Sequence, residues 1–380
     1  MGDKLAEERK IDIHYSRYVI PIGPIYPALK EPVNIRVTLN KEKIADVDFR
    51  LGYAHRGIEA LAQKRNIIQS LYLVERICGI CSHSHATCYI QAIEEIGGIH
   101  PPERAVHIRT LMMELERIHS HMLWLGVTAY GIGFDTFFMY AMRIREQILD
   151  IFEEATGNRV HHSLNTIGGI RADLTTRIIN KIQAFLSEVE KTVQFMLEIL
   201  HGRTVENRLK GIGILRKEDA EKFCVVGPIA RASGIEYDVR TEDPYAAYEE
   251  LKNEFSKITS SKGDAFARAE VRILEVRESG KIIKGILDNL PTGQVRTDGS
   301  ALKLSRGINE GEAVSRVEAP RGELMYYAKT NGKEGLKRLK IRTPTLANII
   351  CLKTMLNGLE VADIPVVVAS IDPCISCADR

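Results

Sequence analysis

The sequence predicts a mainly α-helical protein with a small β-sheet near its N-terminus, which is an α+β fold class. Apolar and polar residues alternate with a period of two only in the early part of the chain. From about Gly57 onward the apolar residues recur at steps of three and four. The chain has 380 residues, 44% of them apolar, and no internal repeat, so we expect a single domain over 1–380.

The N-terminal sheet is expected to be a β-hairpin region over 18–55. Apolar residues alternate with polar ones over 35–39, and after a polar turn at 40–43 the alternation resumes over 47–51. A period of two on both sides of a polar turn is typical of a hairpin that buries one face.

A helical core is predicted over 57–380. Leu111 and Leu115 begin an apolar stripe at helical spacing. By the same periodicity, helices are expected at about 101–125, 173–201, 265–290 and 345–356. A polar, loop-rich excursion is expected over about 203–262, and the apolar run 366–371 is either a buried strand or a compact connection.

Composition argues against several classes of protein. Lys and Arg number 52 against 50 Asp and Glu, a formal charge of +2, so no nucleic-acid partner is expected. Because no apolar run reaches 18 residues and the charged start has no apolar stretch behind it, neither a transmembrane helix nor a signal peptide is predicted. The seven cysteines, an odd number, favour reduced thiols in the cytoplasm over a disulfide framework.

Two Cys-x-x-Cys pairs carry the chemistry of the sequence. Cys78 and Cys81 lie within "ERICGICSHSHATC", and Cys374 and Cys377 lie within the final "CISCADR". Four thiolates suit zinc, an iron–sulfur cluster or another thiophilic metal. Zinc fingers and ribbons usually separate their pairs by about 12–20 residues. The pairs here lie almost three hundred residues apart, which makes a structural zinc clasp an uncommon alternative.

The residues around both cysteine pairs indicate which kind of metal site the pairs form. "RICGICSHSH" reads Arg-x-Cys-Gly-x-Cys-x-x-x-His, and the C-terminus reads Asp-Pro-Cys-x-x-Cys-x-x-Arg. With "RGIE" at 56–59 and "EAPRGEL" at 318–324, these stretches resemble the motifs of the large, catalytic subunit of nickel–iron hydrogenases. "PIGPIYPAL" and "GYAHRGIE" are similar to its energy-converting, membrane-bound (group 4) branch and to the related 49-kDa-type subunit of complex I. The complex I counterpart lacks the four cysteines.

This resemblance implies a Ni–Fe(CN)2(CO) binuclear centre. Cys78 and Cys374 would be terminal nickel ligands, whereas Cys81 and Cys377 would bridge the nickel to an iron that carries carbonyl and cyanide. Soft thiolates suit such metals. The alternative is a zinc ion held by the same four cysteines.

The resemblance also implies roles for residues near the metals. Arg321 would project over them, and Asp372 would hold Arg321 by a charge-assisted hydrogen bond. Glu31 would shuttle protons, the alternative being a surface acid. His85 would bond a bridging sulfur and so tune the metals.

Further residues are assigned by the same reasoning. Glu59 resembles a carboxylate of a Mg2+ site, to which most branches add a C-terminal histidine. The last residue here is Arg380, which could instead occupy the place of the cation and pair with Glu59. His119 and His121 are expected to be structural. The three cysteines without metal-ligand spacing are expected to be small buried residues: they are Cys88, Cys224 and Cys351.

The function that the resemblance implies is reversible interconversion of protons and electrons with H2. The expected direction is H2 evolution from reduced ferredoxin, coupled to ion translocation. Expected partners are a small subunit with a four-iron four-sulfur cluster, a ferredoxin-like polyferredoxin subunit and integral-membrane ion-translocating subunits. The chain would then lie on the cytoplasmic side of the cell membrane as a peripheral subunit. The alternatives are a quinone or sulfane-sulfur reductase subunit on the same scaffold, or a non-catalytic subunit with a zinc clasp.

Overall fold

The computed structural model describes residues 17–25 and 31–380. Its N-terminal sheet has three antiparallel strands, β1 (Tyr18–Ile22), β2 (Asn34–Asn40) and β3 (Lys43–Arg50), in the order β1-β2-β3. The predicted hairpin is present as β2 and β3, and β1 adds a third strand to it.

One face of this sheet is buried, as the alternation of the sequence predicts. Ile35 and Val37 on β2 and Val47 on β3 are all buried. A two-residue turn joins β2 to β3, and Lys41 takes the left-handed conformation there, with φ of 59°. The alternation and the turn together set the register of the hairpin.

Helices make up most of the rest of the described chain. They are α1 (Ile58–Ala62), α2 (Ile67–Glu75), α3 (Ser82–Gly97), α4 (Glu103–Gly131), α5 (Asp135–Thr156), α6 (Thr176–Leu200), α7 (Arg203–Leu209), α8 (Lys217–Lys222), α9 (Pro228–Ala232), α10 (Val239–Glu242), α11 (Tyr248–Leu251), α12 (Ala265–Asp288), α13 (Ala301–Arg306), α14 (Pro344–Asn348), α15 (Leu352–Leu356), α16 (Ile364–Ser370) and α17 (Ile375–Ala378). Two 3-10 turns cover Ile349–Cys351 and Val361–Asp363. A two-stranded ladder pairs β4 (Asn165–Thr166) with β5 (Gly169–Ile170).

The long helices α4, α5, α6 and α12 share one apolar core. Thr175 and Asp264 begin α6 and α12 because their side chains accept a backbone N–H three residues further on. The helices that the periodicity predicts are present as α4, α6, α12 and the pair α14–α15. The mainly α-helical fold class is confirmed.

A second sheet comprises β6 (Glu312–Ala319), β7 (Gly322–Thr330) and β8 (Leu336–Arg342), in the antiparallel order β6-β7-β8. The helical-core prediction overlooked this sheet and is wrong there. The physical reason is that Ser315 and Glu318 take buried positions of β6, so hydrophobicity does not alternate along the strand.

The apolar run 366–371 is not a strand, because it forms most of α16. Pro365 stands at the start of this helix, where its missing N–H costs nothing. Val366 faces the helical core, whereas Val367 and Val368 face an apolar cluster that includes the N-terminal sheet. A run that is buried on both sides has no period from which to choose between helix and strand.

The segment 203–262 folds as the short helices α7 to α11 and contributes buried charges. The helices α4 and α12 and the strand β6 supply the partners of these charges. We call this cluster the ionic seam: Glu114, Arg117, Arg231, Asp238, Arg240, Glu275 and Glu318.

The two Cys-x-x-Cys pairs lie in an apolar cluster of their own, formed by α2, α3 and the sheet β6–β8. They meet there because α3 starts at one pair and α17 at the other. Across residues 17–25 and 31–380, no helix combines the length and the apolarity needed to cross a bilayer.

Candidate metal centre

Four cysteine sulfurs converge at the meeting point of α3 and α17, which we call the thiol pocket. Each of the four cysteines is at most 4% exposed. The Sγ atoms of Cys78 and Cys374 lie 3.4 Å apart, and those of Cys81 and Cys377 lie 3.6 Å apart. The sulfurs of Cys78, Cys374 and Cys377 all lie within 4.8 Å of one another. Two distant parts of the chain therefore bring their sulfurs together in one place, where they could hold a metal ion.

The cysteine turns are tied together by an exposed arginine. Arg56 donates from Nη1 to the carbonyl of Arg76 at 3.0 Å and from Nη2 to that of Ile77 at 2.7 Å. The same Nη2 lies 3.3 Å from the carbonyl of Ser376, in the other turn. The planar guanidinium suits such bridging, since its donors point in fixed directions.

Glu31 and two threonines hold the C-terminal turn. The carboxylate of Glu31 accepts from the backbone N–H of Ile375 at 2.5 Å and from that of Ser376 at 3.1 Å. It also accepts from the Ser376 hydroxyl. Thr345 Oγ1 accepts from the backbone N–H of the first cysteine of this turn at 3.1 Å, and Thr343 Oγ1 donates to the carbonyl of the second at 3.1 Å. Glu31 thus stabilises this turn, and it is also an acid near the thiol pocket.

The four neighbouring thiols do not lose their protons equally easily. Hydrogen bonds from the neighbouring thiols, that of Cys374 first, hold the pKa of Cys78 well below its usual range. Interactions with Cys374, Cys78 and Cys81 raise the pKa of Cys377 well above its usual range. One thiolate therefore forms readily, and the next ones need a cation beside them. A buried set of soft donors with this property fits a thiophilic divalent metal.

Arg321 lies in the tight turn between β6 and β7, and glycines set its position. Gly227 and Gly322 approach so closely that a Cβ on Gly227 would lie 2.4 Å from the Arg321 carbonyl oxygen. A Cβ on Gly322 would lie 2.8 Å from the Gly227 backbone nitrogen, and both glycines have positive φ. The turn is therefore pressed against the start of α9, and its arginine is directed inward.

Arg321 and Asp372 form a buried ion pair beside the thiols. Arg321 donates from Nη2 to Asp372 Oδ1 at 2.9 Å and from Nε to the Asp372 carbonyl at 2.9 Å. Burial alone would lower the pKa of Arg321, but Asp372 and the cysteines raise it well above its usual value, so the guanidinium stays charged. Arg321 Nη1 and Asp372 Oδ2 are buried and have no hydrogen-bond partner among the described residues. Unpaired buried polar atoms of this kind indicate where a ligand or water binds.

His85 contacts one of the pocket sulfurs. Its Nε2 lies 3.5 Å from Cys377 Sγ, and its Nδ1 lies 2.7 Å from the hydroxyl of Tyr326. Burial lowers the pKa of His85 to about 4, so the imidazole is neutral near pH 7. Sequence reasoning missed Tyr326 because the strand that carries it, β7, was not predicted. Together the tyrosine and the sulfur fix the orientation of the ring.

A small cavity adjoins the thiols on the side of Cys81 and Cys377. It is lined by Cys81, His85, Ala319, Arg321, Leu324, Pro344, Thr345 and Cys377. A larger cavity of about 340 Å³ lies beyond Arg321 and Asp372, and Glu31 also lines it. Its remaining walls are mostly apolar. Arg321 and His85 thus lie beside the same two sulfurs, those of Cys81 and Cys377.

Glu59 already has cationic partners. Its Oε1 accepts from Arg380 Nε at 3.2 Å and from the Ile341 N–H at 3.0 Å, and its Oε2 accepts from Lys340 at 3.0 Å. Burial would raise the pKa of Glu59, but the hydrogen bonds from Lys340 and Ile341 and the charge of Arg380 lower it overall. The carboxylate is held ionised by protein groups.

The remaining sequence assignments have mixed outcomes. His121 bonds Glu275 at 2.9 Å, within the ionic seam. Cys88 and Cys351 are buried, as expected. The prediction of burial is wrong for Cys224, which is exposed. It follows Phe223, the C-cap residue of α8, and takes the left-handed conformation that commonly ends a helix, with φ of 51°.

Two families of known proteins match parts of the chain. Residues 131–306 and 302–380 match the family described as respiratory-chain NADH dehydrogenase, 49 Kd subunit. Residues 56–126, which include the first cysteine pair, match the family described as nickel-dependent hydrogenase. The chain is 40% identical to the membrane-bound hydrogenase subunit alpha of Pyrococcus furiosus, over 95% of this chain and 87% of that protein. The chain belongs to the nickel–iron hydrogenase large-subunit family, in its membrane-bound, complex I-related branch.

Other members of this family resemble the chain over nearly its whole length. The carbon monoxide-induced hydrogenase of Rhodospirillum rubrum is 40% identical over 96% of this chain and all of that protein. A solved chain of the membrane-bound sulfane sulfur reductase, an archaeal respiratory membrane complex, superposes with a TM-score of 0.91 at 31% identity. That match covers 97% of this chain and all of the other. The family recognised from the motifs is therefore confirmed.

Proposed function

We propose that the chain is the catalytic subunit of a membrane-bound nickel–iron hydrogenase that interconverts protons and electrons with H2. The observation that carries this proposal is the convergence of four buried thiols, two from each end of the described chain, beside the unpaired N–H of Arg321. The relatives from P. furiosus and R. rubrum, both named hydrogenases, support it.

The thiol pocket would hold a Ni–Fe(CN)2(CO) centre. Cys78 and Cys374 would bind nickel alone, and Cys81 and Cys377 would bridge nickel and iron. Cys81 and Cys377 line the small cavity together with Arg321, so groups bound at these two sulfurs would lie beside the guanidinium. When bound, the centre supplies the site at which H2 is cleaved heterolytically or formed.

Arg321 would act as the fixed cation of the pocket. Its unpaired Nη1–H can donate to a cyanide nitrogen or polarise H2, while Asp372 holds the other edge of the guanidinium. His85, as a neutral imidazole, would donate from Nε2 to the Cys377 sulfur and accept from Tyr326 at Nδ1. That bond withdraws charge from the sulfur and tunes the metals.

Glu31 would move protons between the pocket and solvent. Its carboxylate lies against the backbone of Ile375, one residue after Cys374, and lines the same cavity as Arg321 and Asp372. An acid within one hydrogen bond or one water of a sulfur can take up its proton and release it outward. The two backbone bonds hold Glu31 in place between these steps.

The partners are proposed from the kind of assembly in which relatives occur. We assign the chain a small subunit with a four-iron four-sulfur cluster, a polyferredoxin subunit, reduced ferredoxin as electron donor and integral-membrane subunits that translocate ions. The chain itself would be peripheral, on the cytoplasmic side. The exposed Arg56 lies over both cysteine turns, so a cluster docked on that face would be close to the metals.

At the Glu59 site we propose that Arg380 replaces Mg2+. Its guanidinium and the ammonium of Lys340 supply the positive charge that the cation would bring. Both carboxylate oxygens then have partners without a metal. The C-terminal residue would be held to α1 by this ion pair.

A sulfane-sulfur reductase on the same scaffold is the second candidate, favoured by the superposition at a TM-score of 0.91. An infrared spectrum of the purified complex, beside nickel, iron and zinc determinations, separates the candidates. We expect carbonyl and cyanide bands with nickel present. Zinc without such bands would overturn the hydrogenase proposal in favour of a structural clasp, and neither zinc nor nickel would favour the reductase.

A variant tests the same point within one complex. Cys374→Ser should lose nickel and H2 evolution together, since serine is a poor nickel ligand. Cys351→Ser is the matched control, because Cys351 is equally buried but contacts Met355 outside the pocket. Unchanged H2 evolution in Cys374→Ser would contradict the proposal.

A further inference from the structure

The helix α12 buries two arginines one turn apart, Arg268 and Arg272, and both are fully buried. Arg268 has a partner for each guanidinium nitrogen: Ser370 Oγ at 3.0 Å, the Gly263 carbonyl at 2.7 Å and the Gly213 carbonyl at 2.8 Å. These partners explain its burial as a structural bond between segments of the chain.

Arg272 differs from Arg268, because its hydrogen bonds do not explain how its charged group can be buried. It donates from Nη1 to the Arg268 carbonyl at 2.9 Å, and its guanidinium stacks 4.3 Å from the centre of the Trp124 ring. Its Nε and Nη2 are buried without a hydrogen-bond partner among the described residues. A buried cation with two unused N–H groups is costly unless something not provided by the protein accepts from them.

The missing partner lies toward Asp372. Burial lowers the pKa of Arg272 to about 10, and the carboxylate that most opposes this decrease is Asp372. Asp372 Oδ2 is itself buried and unpaired. Trp124, on which Arg272 stacks, donates to the carbonyl of Ala369 at 2.6 Å and lines the same cavity as Asp372. Arg272 thus lies close to the end of α16, the segment that leads into Asp372.

We infer that Arg272 is a positioning residue for the hydrogenase site, and that a single buried water joins it to Asp372. The water would accept from an Arg272 N–H and donate to Asp372 Oδ2. Each of the two side chains then has a partner for an otherwise unpaired polar atom. Asp372 would be held from two sides, by Arg321 at Oδ1 and through the water at Oδ2.

The consequence concerns the direction of the Arg321 guanidinium. A carboxylate held at one oxygen can rotate about its Cβ–Cγ bond, and its partner guanidinium would swing with it. A carboxylate held at both oxygens keeps Arg321 Nη1 aimed at the thiol pocket. What Arg321 does there rests on the proposed function, but the arrangement of Arg272, water and Asp372 does not.

Three variants test the role. Arg272→Met removes both N–H groups at similar length and should lower kcat per bound nickel about 10–100-fold, as loss of groups that orient metal-site residues does. It should also shift the cyanide bands. Arg272→Lys restores a charged donor and should recover most of the loss. Arg268→Met, the matched control, should lower thermal stability but keep kcat per nickel and the bands.

Two outcomes with the variants would overturn the inference. One is an Arg272→Met enzyme with wild-type bands and kcat per nickel. The other is an equal loss in Arg268→Met, which would mean a merely structural role for both arginines. A map of the wild-type complex that resolves ordered water is the independent readout. It should show density within hydrogen-bond distance of both Arg272 and Asp372 Oδ2, whatever metal is bound, and its absence would also overturn the inference. A wild type without nickel would instead count against the proposed function.

Discussion

The ionic seam and the thiol pocket are both buried and polar, but their polar groups are balanced differently. In the seam every carboxylate has a cation nearby: Glu114 lies 3.1 Å from Arg117, and Asp238 lies 2.7 Å from Arg240. In the pocket four thiols face one another, and Arg321 has an N–H without a partner in the part of the chain that the structure describes. Buried charges that satisfy one another hold a fold together, whereas those left unsatisfied indicate where something else must bind.

The largest effect on stability is expected when a carboxylate of the ionic seam is removed and its arginine partners lose their counter-charge. Glu114 accepts from Arg117, Arg240, Ser279 and Tyr248. Glu114→Ala would leave buried cations uncompensated, which costs about 3–5 kcal/mol in free energy of unfolding. Denaturant unfolding of the purified protein measures it. The control Glu312→Ala removes an exposed acid paired with a lysine and should leave stability unchanged.

If Glu114→Ala unfolded at the same denaturant concentration as the wild type, the seam would not be structural. The contrast between the two regions would then lose its basis.

In the pocket the expected effect is on rate rather than on stability. Arg321→Lys keeps a positive charge, but all its donors lie on one nitrogen, so it cannot reproduce the fixed guanidinium that bonds Asp372 from Nε and Nη2 and directs Nη1 elsewhere. We expect H2 evolution per nickel to fall about 100–1,000-fold, the range for loss of one fixed donor in an active site. Nickel content and melting temperature should change little. A variant that lost nickel in proportion to activity would show that Arg321 is needed to build the centre, contrary to this prediction.

A smaller effect is expected from Glu116, a buried acid that has no ion-pair partner among the described residues. Glu116 accepts from the N–H groups of His83 and Ser84, and burial raises its pKa to about 8. Its folded pKa lies above the unfolded value of about 4.3, so stability should fall as pH rises between these values. The slope from this group is about 1.4 kcal/mol per pH unit.

Glu116→Gln mimics the protonated acid and should abolish this slope. Melting temperatures measured from pH 6 to 8 test it: the wild type should lose stability relative to the variant as pH rises. Parallel curves for the two proteins would mean that Glu116 is ionised in the folded state.

The smallest effect is expected at Glu59. Because Arg380 and Lys340 already neutralise it, removing Mg2+ with a chelator should leave the melting temperature and activity of the wild type unchanged. The Arg380→His variant should instead become sensitive to the chelator, since an imidazole leaves room for a cation. Sensitivity of the wild type would show that a Mg2+ site is present after all.

The helices were readable from the sequence where one face is apolar and the other polar. The period of α6 is an example, and its long run of buried apolar residues follows that period. The period also located α4 and α12, but it did not indicate that Glu114 and Glu275 take core positions there, and it failed for β6, where Glu318 does the same. From the sequence, a charged residue is expected to face solvent unless an oppositely charged partner is known. Here each of these acids has a partner in another helix or strand, which the sequence does not reveal. The second sheet was missed for this reason.

The candidate metal centre could be predicted because its four cysteines are defined by short spacings and residue type. Two thiols separated by two residues converge on one ion in almost any fold. The chain alone therefore specified the four sulfurs, and the flanking motifs specified the family. It also indicated Arg321, Asp372, Glu31 and His85 as neighbours, although only as a resemblance.

The tertiary structure alone decided which polar groups are satisfied. Tyr326 meets His85 only because β7 lies beside α3, and Arg272 lies near the end of α16 only because α12 packs against that helix. Such pairings depend on distances between residues far apart in the chain, which composition and spacing do not encode. Local chemistry is set by neighbours in sequence, whereas the burial and pairing of charges are set by neighbours in space.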